Sequence, residues 1–501
     1  MPRPRLLYVG GALLFTTLVL WTSLHLGLLN SAPRPARPQR LTSTQSPLTT
    51  FKKKEPRLHF LIVATNSGLD LCRLLLSASV LSYPPPVLID WAGKGEYDAQ
   101  STHLAKVAGP IRYFADLPPE DDTDIVLLVD GFDVQFQLGP DVLLKRYFQE
   151  TAAAQDRLVE RFGSKHVKKH NLYNSIFFSP DKVCWPDDLR RPACWAVPAS
   201  SLSPYAFGPY TDQSLEDMPH ARPRWLNSGT IMGPVGEMRE MFLATQRKIN
   251  ETYDPEYVLR NSDQKYFADL WADQEYSRTL KAGVKPDVAI PPDVEESDKP
   301  VLDEGKEYEW HIGLDYRSAM FQTAAGYRNY LAWMTMDRPS LPSILQTLEP
   351  YRIEPDADVL EARKPFADLV DDENLNSKSW QDVALGVNIA SGLAFPILHF
   401  TGDKSFRDAW WGRSWFFDEA ERLRHASYEH HDEKIGSGPI NGVQWVKNTP
   451  YDASQRQDKA APWSDTGEAL SWDHLCALHE HLLYKEPDSW SFVEKMAHNF
   501  D

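Results

Sequence analysis

The sequence predicts an α/β fold, with a mostly parallel sheet flanked by helices and a transmembrane helix at the N-terminus. From residue 58 onwards, short strand-like runs alternate with helical patterns, which is typical of such a sheet. These runs are apolar almost throughout, as expected of strands buried on both faces. Residues 6 to 24 contain no charged side chain, and about 20 apolar residues span a bilayer.

The N-terminal part divides into a short cytoplasmic tail (1–5), a membrane anchor (6–29) and a stem (30–57). No small-residue cleavage site follows the apolar stretch, so we expect a retained signal anchor. Arginines flank the stretch on both sides, so charge alone leaves its orientation open. The stem is rich in Pro, Ser and Thr and has too few apolar residues for a core.

Residues 58–425 form the predicted α/β domain, with 338–385 as an insertion and 426–501 as a polar C-terminal extension. We expect residues 151–220 to be rich in loops. The elements predicted at the start of the domain are a strand at 59–64, a helix at 69–81, a strand at 87–89, a helix through Lys106, and strands at 111–114 and 125–129.

Ligands of doubly wound sheets bind beyond the carboxyl ends of the strands. This rule makes the residues that follow the predicted strands candidates for a binding site. They are Thr65, Asp90, Trp91 and Asp130.

The net charge of −17 and the pI of about 5.4 argue against a nucleic-acid partner. Two weak signals favour an oxidising lumen for the domain. Cys184 and Cys194 lie ten residues apart in a Pro-rich stretch where a disulfide is plausible, and Asn250 begins an N-glycosylation pattern. We expect Cys72 and Cys476 to be buried thiols, and no cysteine has metal-site spacing.

The strongest chemical signal is Asp130-Gly131-Phe132-Asp133, which follows the most apolar strand. Two carboxylates at a strand end, with a turn-forming glycine between them, can converge on one divalent cation. The alternative is that Asp130 caps a turn and Asp133 is solvated, because Asp suits turns. From this motif alone the two interpretations are about equally good.

The chain resembles the glycosyltransferase domain of the procollagen lysyl hydroxylases, which has a Rossmann-like GT-A fold. The resemblance rests on short motifs in the same order over roughly residues 58 to 420. The matching motifs are Val63-Ala64-Thr65, Asp90-Trp91, Lys106, Asp130-Gly131-Phe132-Asp133, Phe178-Ser179-Pro180-Asp181, Cys184-Trp185-Pro186, Leu226-Asn227-Ser228-Gly229, Ser262-Asp263-Gln264, Leu314-Asp315-Tyr316-Arg317 and His399-Phe400-Thr401-Gly402-Asp403-Lys404.

The resemblance implies that Asp130, Asp133 and His399 hold Mn²⁺. An imidazole beside two carboxylates suits Mn²⁺ better than Ca²⁺ or Mg²⁺. Taken alone, His399 would more often be a core histidine. Lys404 is expected to reach the diphosphate of a bound nucleotide-sugar.

The resemblance also implies a nucleotide site built by Thr65, Trp91, Lys106 and Phe132. Phe132 stands where the family has a tyrosine stacked on uracil, and it keeps the stacking face without the hydroxyl. Packing in the core or on the surface is the alternative for Thr65, Trp91 and Lys106.

Asn227 and Asp263 are the expected catalytic residues near the donor sugar. The chain departs from the family at two neighbouring positions. Ser262 replaces part of an acidic cluster, and Asp181 stands where the family has a glutamate. These departures bear on the donor sugar and the acceptor rather than on the metal.

The expected function is therefore Mn²⁺-dependent transfer of a sugar from a UDP-sugar to a hydroxyl of a protein or glycan acceptor. The expected location is the Golgi or ER membrane, as a single-pass type II protein with a lumenal catalytic domain. The residues after Trp411 are too few for the family's hydroxylase domain. The alternative is a non-catalytic GT-A-like protein, a lumenal scaffold or a glycan-binding subunit.

Overall fold

The computed structural model describes residues 54–93, 103–214, 217–335, 356–429, 433–451 and 458–484. The predicted tail (1–5), the membrane anchor (6–29), residues 30–53 of the stem and residues 338–355 of the predicted insertion lie outside these ranges. Within the described ranges, no helix has both the length and the apolar character needed to cross a bilayer.

Fifteen strands occur in the described residues. They are β1 (Arg57–Val63), β2 (Val87–Ile89), β3 (Ile125–Asp130), β4 (Val134–Phe136), β5 (Ile176–Asp181), β6 (Trp225–Pro234), β7 (Ile312–Leu314), β8 (Phe321–Thr323), β9 (Leu331–Thr335), β10 (Ala384–Asn388), β11 (Leu393–Ala394), β12 (Ile397–His399), β13 (Lys434–Ile440), β14 (Val443–Lys447) and β15 (Trp463–Ser464).

The α-helices of the same residues vary from one turn to 23 residues in length. They are α1 (Leu69–Val80), α2 (Ala105–Ala115), α3 (Pro140–Phe162), α4 (Ser164–Lys169), α5 (Pro192–Trp195), α6 (Val235–Thr252), α7 (Asp263–Ala282), α8 (Ala357–Leu360), α9 (Glu373–Asn376), α10 (Phe406–Trp411), α11 (Ala420–Glu429), α12 (Trp472–Cys476) and α13 (Glu480–Leu483).

The described residues form a central sheet of nine strands, mostly parallel. Its main path runs β13-β14-β1-β3-β6-β5-β7. Outside this path, β2 pairs with β1, and β15 pairs with β2. β1 is parallel to β2, β3 and β14, whereas β6 is antiparallel to both β3 and β5. β3 and β5 therefore run in the same direction on either side of β6, and their carboxyl ends reach the same edge.

Helices cover both faces of this sheet, as the continuous apolar strands predict. In β3, Leu127 and Val129 pack into the core layer that also contains α1 and α3. Val126 and Leu128 pack into the opposite layer, with α2, α6 and α7. Successive side chains of a strand point to opposite faces, so one six-residue strand supplies both cores.

Two smaller sheets of three strands each complete the described part of the fold. One has the order β11-β10-β9, and the other has the order β4-β12-β8. In the second, β12 is antiparallel to β4 and parallel to β8. This sheet brings the end of β12 next to the residues that follow β3.

The structure confirms most of the elements predicted at the start of the domain, but the strand predicted at 111–114 is wrong. These residues form the end of α2. The run Ile111-Arg112-Tyr113-Phe114 has residues that favour strands, but tertiary contacts override that preference. Phe114 packs edge-on against Phe242, and Arg112 forms ion pairs with Asp90 and Asp465.

The described residues between 433 and 484 are not an extension outside the domain. β14 pairs with the start of β1, and β15 pairs with β2, so both belong to the central sheet. The boundary predicted at residue 425 is therefore wrong. Residues 151–220 also contain more regular structure than predicted, because α3 continues to Phe162 and β5 belongs to the central sheet, between β6 and β7.

All four cysteines are paired. Cys184 and Cys194 form the disulfide that their spacing predicts. The prediction that Cys72 and Cys476 are buried thiols is wrong, because they form a second disulfide across 404 residues. This bond ties α12 to α1 and holds the C-terminal residues against the domain.

Candidate functional site

Asp130 is the last residue of β3 and lies beside the end of β1, where its register partner is Val63. The chain turns sharply at Gly131, whose N–H donates to the carbonyl of Val63 over 3.0 Å. A side chain at position 131 would place its Cβ 2.5 Å from that carbonyl oxygen. Glycine is therefore required for this close approach, which directs the chain from Asp130 to Asp133.

Asp133 and His399 meet through the small sheet β4-β12-β8. His399 ends β12 and pairs with Val134, the residue after Asp133. The N–H of Phe400 donates to the Asp133 carbonyl over 2.8 Å. These backbone contacts place the imidazole of His399 beside the Asp133 carboxylate.

The imidazole of His399 lies against the backbone of Gly229, in the middle of β6. A Cβ at position 229 would come within 1.9 Å of the imidazole Cε1 and 2.5 Å of each ring nitrogen. Nδ1 is buried and has no hydrogen-bond partner among the described residues, whereas Nε2 faces the two carboxylates. The missing side chain of Gly229 thus creates the space that the ring fills.

The three side chains form a donor set of the kind that binds a divalent cation. Nε2 of His399 lies 3.4 Å from Oδ1 of Asp133 and 3.9 Å from Oδ2 of Asp130. One ligand atom from each residue lies within 4.8 Å of the others. An octahedral ion with bonds of about 2.1 Å spaces adjacent ligands about 3 Å apart and opposite ligands about 4.2 Å apart, so a small inward movement would let all three bind one ion.

Two lysines compensate the negative charge of this group. Lys106 is buried, with Nζ 2.7 Å from Asp130 and 3.2 Å from Asp263. Burial lowers the pKa of Lys106, but the two carboxylates outweigh this effect and hold it above its usual value. Lys404 is much more exposed and forms an ion pair with Asp133.

The pKa of Asp133 is set by the same neighbours. Burial alone would raise it, because the charged form is disfavoured away from water. The charges and hydrogen bonds of His399 and Lys404 outweigh burial and hold the pKa well below its usual value. The Asp133 carboxylate is therefore ionised at neutral pH and available as a ligand.

A cleft of about 450 Å³ opens beside the carboxylates and the imidazole, along the edge where β3 and β5 end. Its volume is large enough for a nucleotide-sized ligand. Residues from widely separated parts of the sequence line it, among them Asp130, Asp181, Asn227, Asp263, His399 and Lys404. The structure thus brings together both predicted catalytic residues and most of the predicted metal and phosphate ligands.

Asp181 also belongs to this cleft, although the sequence marks it only as a departure from the family's glutamate and not as a predicted site residue. Like Asp130, it is the last residue of a buried strand, and β3 and β5 end at the same edge. The strand-end rule that selected Asp130 would have selected it had β5 been recognised. Asn227 Nδ2 donates to its carboxylate over 3.2 Å. Burial raises the pKa of Asp181 to about 6, against the opposing effects of hydrogen bonds from Asn227 and the Lys182 N–H and of the His399 charge.

Three of the predicted nucleotide ligands lie at the expected strand ends but do not line the cleft. The carbonyl of Thr65 accepts a hydrogen bond from the N–H of Ala92. Trp91 is buried in the apolar layer around α1, and Phe132 packs against the same layer. Packing is the role that the structure shows for these two rings, and nucleotide binding by Thr65, Trp91 and Phe132 stays a prediction.

Asp90, another strand-end candidate, is fully buried and pairs with Arg112. Its carboxylate joins β2 to α2 and does not line the cleft. Asp90 therefore has a structural role in this arrangement.

Comparison with known proteins adds no assignment. No protein-family model matches the chain, and no curated protein matches it significantly.

Proposed function

We propose that the protein is a metal-dependent glycosyltransferase with a GT-A-like domain, which transfers a sugar from a UDP-sugar to an acceptor hydroxyl. The observation that carries the proposal is the meeting of Asp130 and Asp133 with His399, some 270 residues later in the chain, at the edge of a cleft. The motif resemblance supplies the donor class, and the geometry fits its expected metal ligands.

The donor set favours Mn²⁺ over harder cations because one of its three ligands is an imidazole nitrogen. A bound Mn²⁺ would supply positive charge that stabilises the departing diphosphate. Among the described residues that line the cleft, Lys404 is best placed to add to this charge. It is 41% exposed, lines the cleft and pairs with Asp133, so its flexible side chain can turn towards a phosphate group.

Lys106 and Asp263 hold Asp130, one of the proposed metal ligands, in position. Lys106 joins Asp130 to Asp263, the first residue of α7, and so fixes the orientation of both carboxylates. Ser228 N–H approaches the side-chain oxygen of Gln264 at 3.4 Å, which links β6 to the same helix. Such positioning, together with charge compensation, is the main source of catalysis in group transfer from diphosphates.

The proposed location is the lumen of the Golgi or ER, with the chain anchored in the membrane by residues 6–29 as a type II protein. The two disulfides support an oxidising compartment, because such bonds are rare in the cytosol. The acceptor is a hydroxyl of a protein or glycan that passes through the same compartment.

Calorimetric titration of UDP into the purified full chain tests this function. We expect UDP to bind at least tenfold more tightly in MnCl₂ than in EDTA. The variant D130N/D133N should lose this difference, because its amides compensate less of the ion's charge. D403N serves as the control, since Asp403 lies next to Lys404 but pairs with Arg328 outside the metal ligands.

Equal affinity for UDP with and without Mn²⁺ in the wild type would contradict the proposal. The same titration addresses the rival function, a non-catalytic scaffold or glycan-binding protein. For such a protein the affinity for UDP should not rise when EDTA is replaced by MnCl₂.

A further inference from the structure

Asp181 differs from the other carboxylates of the cleft in its partners. Among the described residues that line the cleft, Asp130 and Asp263 share the ammonium of Lys106. Asp133, deeper in the same group, pairs with Lys404. Asp181 forms no ion pair within the described ranges, although its side chain is buried. It is an uncompensated carboxylate at the wall of the cleft.

The neighbouring lysine does not compensate it. Lys182 Nζ lies 3.3 Å from the ring centre of Phe207 and 4.2 Å from that of Tyr327. It donates to the carbonyl of Pro219 over 2.7 Å. Its amino group is thus engaged by rings and a carbonyl, and burial lowers its pKa to about 6. Only its backbone N–H reaches the Asp181 carboxylate, over 3.0 Å.

The Asp181 carboxylate is nevertheless held in a defined position. Asn227 Nδ2 donates to one oxygen and the Lys182 N–H donates to the other. Asn227 is itself fixed, because its side-chain oxygen accepts from Ser179 Oγ and from the N–H of Gly229, the residue against which His399 lies. One hydrogen-bond chain therefore connects Asp181 to the backbone that supports the proposed metal ligands.

An ionised carboxylate accepts up to about four hydrogen bonds, and Asp181 receives two within the described residues. Burying a carboxylate without a cation is costly. The position of Asp181 at the wall of the cleft therefore points to a hydrogen-bond donor supplied by the ligand. Hydroxyl groups are the donors that a sugar acceptor or a water molecule offers.

We propose that Asp181 binds the attacking hydroxyl group and accepts its proton, an inference that rests on the glycosyltransferase function proposed above. The hydroxyl hydrogen is held by the carboxylate while the oxygen forms a bond to the anomeric carbon. The bond between that carbon and the diphosphate breaks, and its electron pair leaves with UDP. The proton passes to Asp181 and then to water.

This role requires that the Asp181 carboxylate is ionised, so turnover should depend on pH. The titratable groups coupled to it are His399 from β12 and Tyr327 from the turn after β8, whereas Lys182 contributes only its backbone N–H. Burial raises the pKa of Asp181 to about 6, and a nearby cation would lower it again. Turnover should therefore be full above this pKa and fall as the pH drops through it, with the limb at or below pH 6.

The test uses the full chain with MnCl₂ and a panel of UDP-sugars (glucose, galactose, xylose, glucuronic acid and the two N-acetylhexosamines). Water serves as the acceptor, and UDP release is measured. In D181N the rate of UDP release should fall about 10²- to 10⁴-fold, the usual effect of losing a general base, while UDP affinity in Mn²⁺ changes less than threefold. The acid limb of kcat/KM should disappear in D181N and persist in D181E.

D187N is the matched control, because Asp187 is exposed on the loop that follows and should leave release unchanged. Melting temperatures establish that each variant is folded. Release from D181N at the wild-type rate and with the same acid limb would overturn the inference. Loss of UDP affinity in D181N would also overturn it, since that result assigns the residue to the donor.

The outcomes separate this inference from the proposed function. A wild-type chain that binds UDP no better with Mn²⁺ refutes the function itself. A wild-type chain that binds UDP with Mn²⁺ but releases no UDP from any UDP-sugar refutes only the role of Asp181. Water in the cleft has a hydroxyl hydrogen, so a base at Asp181 would also activate water.

Discussion

The imidazole of His399 occupies the space that a side chain at Gly229 would fill, with its Cε1 1.9 Å from the position of an added Cβ. The two residues lie on strands of different sheets, β12 and β6. The space at position 229 therefore controls where the third ligand of the proposed metal site lies.

We expect G229A to lower the affinity for Mn²⁺ at least tenfold, because the added methyl group displaces the ring from Asp130 and Asp133. Binding is measured by calorimetry with MnCl₂ alone. G233A is the control. It lies on the same strand, and its Cβ would meet Ile176 Cγ1 at 2.9 Å, away from the proposed ligands.

G233A should cost stability but retain Mn²⁺ affinity. Unchanged Mn²⁺ affinity in a folded G229A protein would show that the ring can move without loss of the ion, or that His399 is not a ligand.

Lys106 provides a second prediction, on stability without metal. Its ammonium is the cation that compensates the buried Asp263 and part of the charge of Asp130. Removing one partner of a buried ion pair costs about 3–5 kcal/mol. K106M should therefore lower the free energy of unfolding in urea by about this amount at neutral pH in EDTA. MnCl₂ should recover part of the loss, because an ion at Asp130 replaces part of the missing charge.

The control for Lys106 is K299M. Lys299 also pairs with a carboxylate, that of Glu296, but on the surface. Exposed pairs contribute little to stability, so this variant should unfold almost like the wild type. A loss below about 1 kcal/mol in K106M would mean that Asp130 and Asp263 do not depend on the lysine.

Asn250 offers a test of the proposed lumenal location. It lies exposed in the last turn of α6 and accepts a hydrogen bond from Gln246. A glycan there would project into solvent. We expect the full chain, expressed in eukaryotic cells, to show a mobility shift that peptide-N-glycosidase F removes.

The substitutions N250Q and T252A should each abolish the shift, since either one destroys the acceptor pattern. Q246A is the control for the helix, because it removes the hydrogen bond to Asn250 but keeps the acceptor pattern. A wild-type chain without an enzyme-sensitive shift would contradict modification at this site.

The sequence predicts the first strands of the sheet and the place of Asp130 at a strand end, because both depend on local patterns. Apolar runs mark β1, β2 and β3, and the strand-end rule selects Asp130. The resemblance adds His399, which no local pattern connects to Asp130.

The parts that were missed depend on contacts distant in sequence. β14 has the weak pattern Val443-Gln444-Trp445-Val446-Lys447, and its partner β1 lies almost 400 residues earlier. No property of either segment alone predicts that pairing. Cys72 and Cys476 were predicted to be free for the same reason. Their pairing follows from the return of the chain to α1, which local patterns do not show.

The Cys72–Cys476 disulfide gives the last prediction. It closes a loop of 404 residues, whereas Cys184–Cys194 closes one of ten. In the chain-entropy model a cross-link stabilises more when its loop is longer, within a typical range of about 2–5 kcal/mol. The long bond also holds the C-terminal residues, whose β14 and β15 complete the central sheet.

We therefore expect C72S/C476S to lose more unfolding free energy in urea than C184S/C194S, with the loss towards the upper end of that range. Limited proteolysis should cut the C-terminal residues of C72S/C476S first, because α12 is then held by non-covalent contacts alone, among them the hydrogen bond from Ser67 Oγ to the Leu475 carbonyl. An equal or smaller loss in C72S/C476S would show that the strand pairing of β14 and β15 fixes the C-terminal residues without the covalent bond.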